Sequence, residues 1–152
     1  MNRRTFLAVV PSNALAGCAT RLGLADRVEI TRKSVRLHPW NGDEPIDAVV
    51  RRYDPDAGVS SDDDPHEAVA DGIDPDEPLV VSDSVADRLA AEYEIVEYRI
   101  AACTLDADGD CRETTLVRED FNAVEAGDVV DIVSRSSGAG LVNVHERREE
   151  RD

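Results

Sequence analysis

The chain has 152 residues, of which 41% are hydrophobic and only 4% aromatic, and its 33 acidic against 17 basic side chains leave a net charge of −16 at pH 7. That length holds one domain of ordinary size, with a core that must lean on Val, Leu, Ile and Ala. So acidic a surface excludes a nucleic-acid partner, which needs a basic face.

The N-terminus is of a different character. Arg3 and Arg4 give a positive start, Phe6 to Val10 is a short apolar run, and the small residues Ala14 to Gly17 lead to Cys18. Positive, oily, then small at a cleavage point is the order of an export signal. The oily part falls far below the roughly 18–20 residues of a membrane-spanning helix, and Pro11, Ser12 and Asn13 interrupt it. "NRRTFL" resembles the twin-arginine export motif, with Arg3, Arg4, Phe6 and Leu7 at its key positions. "LAGC" resembles a lipobox, with Leu15 and Gly17 before Cys18. The resemblance implies export by the twin-arginine translocase, cleavage before Cys18 and a lipid on its thiol, so that the chain is held at the outer face of the cell membrane. The alternative is an ordinary buried strand or helix. The expected organisation is a signal peptide over 1–17, a lipidated connector over 18–26, a globular domain over 27–145 and a charged tail over 146–152.

"RVEITRKSVRLHP" (27–39) predicts one strand or two. "PWNGDEP" (39–45) predicts a turn, with Gly42 supplying positive φ. Trp40 at that turn is expected to fold back over the core, the other reading being an exposed recognition aromatic. "IDAVVRRY" (46–53) is the returning strand. Residues 54–78 are rich in Pro and Asp and predict a loop. Inside it lies one short helix, capped by Asp64, opened by Pro65 and stopped by Gly72. "PLVV" (78–81) reads as a strand. "SVADRLAAEY" (84–93) is the best helix, capped by Ser84, with Val85, Leu89 and Ala90 on one face. "YEIVEYRIAA" and "RETTLV" predict a hairpin. "EDFNAVEAGD" (119–128) suggests a short helix capped near Asp120. "VVDIV" (129–133) and "LVNVH" (141–145) form a last hairpin across "SSGAG".

The resulting fold class is α+β or mainly β. It is a small single domain with about seven strands in an antiparallel or mixed sheet, with one or two short helices and the option of a partial barrel.

Of the three cysteines, Cys103 and Cys111 remain once Cys18 is set aside. In an exported chain they are expected to form a disulfide, two free thiols or a metal pair being the alternatives. With Cys103 opposite Cys111, Tyr98 faces Leu116 and Arg99 faces Thr115. Asp106, Asp108 and Asp110 alternate in the intervening loop like the first ligands of an EF-hand, but Cys111 and Val117 replace its Gly and Glu. The loop is either a calcium site or an acidic turn. His38, His66 and His145 sit in three separate segments; they could converge on a metal with Asp or Glu, but each is also ordinary next to a turn or strand end. "SSGAG" lacks the spacing of a nucleophile elbow or phosphate loop.

The charge pattern carries a further resemblance. Lys33 is the single lysine against sixteen arginines, and aspartate outnumbers glutamate twenty to thirteen. This is similar to proteins of salt-loving archaea, and with the signal it points to a twin-arginine-exported lipoprotein of halophilic archaea. At about 1 M salt the Debye length is roughly 3 Å, so surface carboxylates hardly repel one another. Between 19 and 37 the balance reverses: Arg21, Arg27, Arg32, Lys33 and Arg36 face only Asp26 and Glu29. This basic stretch either meets anionic head groups or pairs with the acidic body. The functional expectation is a lipid-anchored binding or envelope-organising domain, leaning away from an enzyme, with no cofactor. A calcium- or ligand-binding module and an accessory subunit of a secreted enzyme or transport system are the alternatives.

Overall fold

The structure, a computed structural model, describes residues 25–61, 65–74, 77–105, 109–135 and 138–148. The leading segment, with Arg3, Arg4, Phe6, Leu7 and Cys18, lies outside these residues, as do Asp106 and Asp108.

One long strand organises the rest. β1 (Asp26–His38) is a single strand of 13 residues. β4 (Ile95–Thr104) runs antiparallel along nearly all of one side. The other side is shared: β6 (Val129–Arg135) pairs with Asp26 to Glu29, and β2 (Ile46–Asp54) pairs with Arg32 to Leu37. β3 (Gly58–Ser61) hairpins onto β2, β5 (Cys111–Leu116) onto β4, and β7 (Gly138–Glu146) onto β6. The result is one open antiparallel sheet of seven strands among the described residues. It curls until β7 approaches β5. A methyl group on Gly138 would lie 2.5 Å from Thr115 Oγ1 and 2.7 Å from its carbonyl oxygen, and the φ of 138° there also favours glycine.

A bulge on β1 decides which charges go inside. Its register against β4 shifts between Ile30 and Arg32, leaving Thr31 as an extra residue. Strict alternation would send Ile30 and Lys33 to opposite faces. The extra residue puts Val28, Ile30, Lys33, Val35 and Leu37 all on the covered side, each no more than 2% exposed.

Three short helices cover that face: α1 (Glu67–Ala70), α2 (Asp83–Glu92) and α3 (Arg118–Ala123). Their caps differ from expectation. Ser82, not Ser84, caps α2, its Oγ accepting the Val85 N–H at 3.3 Å. The buried side of α2 carries Val85 and Leu89 with Ala86 packed against the core, while Ala90 is exposed. His66 caps α1, its Nδ1 accepting the Ala68 N–H at 3.1 Å, while Asp64 lies outside the described residues. α3 has Val117 at its N-cap and no side-chain cap. Asp120 lies inside the helix and instead accepts the Leu141 N–H at 3.2 Å, tying α3 to β7.

"PLVV" is not a strand. Leu79 and Val81 are fully buried and Val80 is 43% exposed, so the period of two that suggested a strand is real. Among the described residues no strand pairs with the segment. The side-chain amide of Asn122 takes that place: its Oδ1 accepts the Val81 N–H and its Nδ2 donates to the Val81 carbonyl, both at 2.8 Å. The seventh strand is β3 instead, inside the acidic stretch expected to be loop. Trp40 does not fold over the core but is 65% exposed. Its turn lies beyond the last β1–β4 pair, His38 opposite Ile95.

Candidate functional site

The cysteine hairpin forms in the expected register. Cys103 and Cys111 are joined by a disulfide, Tyr98 lies opposite Leu116, and Arg99 lies opposite Thr115. The neighbouring pair is hydrogen-bonded, with the Thr104 N–H donating to the Asp110 carbonyl at 3.0 Å. Cys103 and Cys111 therefore occupy a non-hydrogen-bonded site, where antiparallel strands bring Cα atoms closest. Asp110 is exposed, and its N–H donates to Thr104 Oγ1 at 3.1 Å.

The three histidines do not converge. His38 Nε2 is 3.1 Å from Glu97 Oε1, His66 caps α1, and His145 is exposed on β7. No group of three or more metal-ligating side chains occurs among the described residues. Of "SSGAG", Ser136 and Ser137 lie outside the described residues, and Gly138 to Gly140 begin β7.

The open face of the sheet carries a chain of ion pairs. His38 meets Glu97, Glu97 meets Arg99 at 2.7 Å, and Arg99 approaches Glu113 at 3.7 Å. Glu113 meets Arg32 at 2.7 Å, Arg32 meets Asp47 at 3.1 Å, and Asp47 meets Arg36 at 2.9 Å. The network crosses β5, β4, β1 and β2 in turn. Burial alone would raise the Asp47 carboxyl, but hydrogen bonds and charge from Arg36 and Arg32 outweigh it and hold it below the ordinary range. Glu97 behaves likewise between Arg99 and His38. Beneath the network Ser34 is 1% exposed. Arg27 pairs separately with buried Asp131 at 2.9 Å. The arginines of β1 are thus paired with the protein's own carboxylates.

The covered face holds different chemistry. Lys33 is fully buried, and its Nζ donates to the Val124 carbonyl at 2.6 Å, to the Leu79 carbonyl at 2.8 Å and to Glu125 Oε1 at 3.4 Å. It also lies 4.1 Å from the centre of the Phe121 ring. Burial pushes the Lys33 ammonium down to about 8, against the pull of Glu125. The same burial raises the Glu125 carboxyl. Opposite Lys33 on β2, Arg51 is 3% exposed and donates to the Glu77 carbonyl at 2.6 Å and the Asp74 carbonyl at 2.7 Å. Asp128 receives the N–H groups of Glu125 and Arg148, at 2.8 and 2.9 Å. These side chains fasten irregular backbone to the sheet. A lysine whose pKa is lowered is a candidate nucleophile, but this one has no exposed surface, and its ammonium is held by two carbonyl oxygens, a carboxylate and the Phe121 ring. It acts as a tie.

No family model matches the chain, and no curated protein or solved structure matches it either. No helix among the described residues is long and apolar enough to cross a membrane.

The burial of Lys33 escaped the sequence reading, and for Trp40 the less favoured of its two readings holds. The burial of Lys33 had one signal, its uniqueness in a chain that otherwise uses arginine. Three carbonyl and carboxylate oxygens around one point suit a compact ammonium better than a planar fork. The exposure of Trp40 had no signal beyond its place in a turn.

Proposed function

We propose that this is an exported, lipid-anchored domain held at the outer face of the cell membrane, with a non-enzymatic role in binding or envelope organisation. Cys18 would carry the lipid, and the segment with Arg3, Arg4, Phe6 and Leu7 would direct export. One observation carries most weight: the disulfide joins Cys103 to Cys111 and leaves Cys18 as the odd cysteine. Disulfides persist in oxidising compartments, outside the cytosol, which agrees with a chain that leaves the cell. The lipobox-like "LAGC" places that odd thiol where a lipid would be attached. Each buried lipid CH₂ contributes about 0.8 kcal/mol, so two long chains hold a small domain firmly. The arginines of β1 are held by Asp47, Glu113 and Asp131, so attachment would rest on the lipid and not on a basic surface.

Cell fractionation with a Cys18→Ser variant tests this reading. The unsubstituted chain is expected in the membrane fraction and the variant in the medium. Equal partition of the two would count against the anchor.

A further inference from the structure

The end of the sheet opposite the N-terminus of β1 carries two exposed apolar side chains on segments that meet there. Trp40 is 65% exposed and Ile95 is 48% exposed. Ile95 is the register partner of His38, and the Glu94 N–H donates to the His38 carbonyl at 2.9 Å, so the two segments meet at this end. The turn that carries the indole is fixed. Asn41 Nδ2 donates to Asp43 Oδ2 at 2.8 Å, the Asp43 N–H donates back to Asn41 Oδ1 at 3.1 Å, and Gly42 has a φ of 79°. An exposed aromatic on a turn whose backbone is already held is suited to a partner, since little loop freedom is lost on binding.

The surroundings state the partner's sign. Asp43, Glu44, Glu92 and Glu94 are exposed, and neither 39–47 nor 89–95 contains a lysine or arginine. A second copy of this chain would set these carboxylates against one another. It would also find too little apolar surface, because a stable dimer buries on the order of 800 Å² per partner and one Trp supplies roughly 150–250 Å². A short basic segment meets both conditions. Its guanidinium or ammonium groups would pair with Glu44 and Glu94, or stack on the indole, while an aliphatic residue would cover Trp40 and Ile95.

We propose that the Trp40–Ile95 end is a docking surface for a basic polypeptide segment that carries an apolar anchor. The strand β1 separates this end from Asp26 by roughly 40 Å at about 3.3 Å per residue. That this end points away from the membrane rests on the lipid-anchor reading, whereas the binding itself does not.

Trp40 is the only tryptophan, so its emission reports on the surface directly. The test titrates the full chain, at about 1 M salt where only charges in contact still attract, with the peptide Arg-Leu-Arg-Leu-Arg. Its counterpart Glu-Leu-Glu-Leu-Glu and vesicles of phosphatidylglycerol serve as controls. The expected result is a saturable blue shift with the basic peptide alone. Calorimetry should show binding at least about tenfold weaker for the double variant Glu44→Gln/Glu94→Gln, and the same for Ile95→Ser. No saturable shift with the basic peptide, an equal shift with the acidic one, unchanged binding by both variants, or a response to vesicles alone would each overturn the proposal. A mature chain without lipid would defeat the anchor and leave this result as it stands.

Discussion

Arg32 and Lys33 are consecutive residues of β1 and lie on opposite faces of the sheet. Arg32 shares the open face with Asp47 and Glu113, its side chain 14% exposed. Lys33 is fully buried and tied to two carbonyls and one carboxylate. Both are cations in ion pairs, yet the physics differs. Exposed pairs are screened by salt and contribute about 0–1 kcal/mol each. A buried cation is costly alone, and removing one partner of a buried set costs about 3–5 kcal/mol. The covered face therefore fixes the fold through buried hydrogen bonds that leave no room for a missing partner, and the open face contributes far less.

The contrast is broken or sharpened first by Lys33→Ala. Loss of the ammonium leaves the Leu79 and Val124 carbonyls without their donor, and the expected cost is about 3 kcal/mol or more in chemical denaturation at molar salt. A loss no larger than that of an open-face variant would break the comparison.

Removing the disulfide by Cys103→Ser/Cys111→Ser comes next, at about 2–3 kcal/mol for so short a loop. The effect should be independent of salt, because it acts through the unfolded chain.

The pH dependence of Lys33 sharpens the same point. Its folded pKa of about 8 lies below the ordinary 10.5. Between these values the unfolded chain holds more protons than the folded one, so this residue's contribution to stability grows as the pH rises. Relative to a Lys33→Met variant, the unsubstituted chain should gain on the order of 1–3 kcal/mol between pH 8 and pH 10. A relative loss over that range would show that Lys33 is held chiefly by its charge.

Arg36→Ala should be the smallest effect, at most about 1 kcal/mol and fading as salt is raised. Asp47 and Glu97 have depressed pKa values, so what the network contributes should be lost only as the solution is acidified below the ordinary carboxylate range.

How much of this was legible in the sequence depended on how local each cause was. The Cys103–Cys111 hairpin could be read residue by residue, because a short turn between two alternating segments leaves little freedom in register. β2, β6 and α2 were legible for the same reason. "PLVV" shows where the method fails. Its alternation records real burial of Leu79 and Val81, but whether a backbone finds a strand or the Asn122 amide is decided 41 residues away. The placement of Lys33 depends on a one-residue bulge at Thr31, and composition marks no such position. Ser84 and Ser82 are both competent caps, and only the observed first turn chooses between them. The network on the open face was out of reach for a different reason: abundant charges permit many pairings, and register alone selects one.

The functional reading turns on the fate of a single thiol. Intact mass spectrometry of the chain taken from its native membrane, without reduction, addresses it directly. The expected species begins at Cys18, carries added lipid mass and is two hydrogens lighter for the Cys103–Cys111 bond. A chain that still begins at Met1 and carries no added hydrocarbon would contradict it.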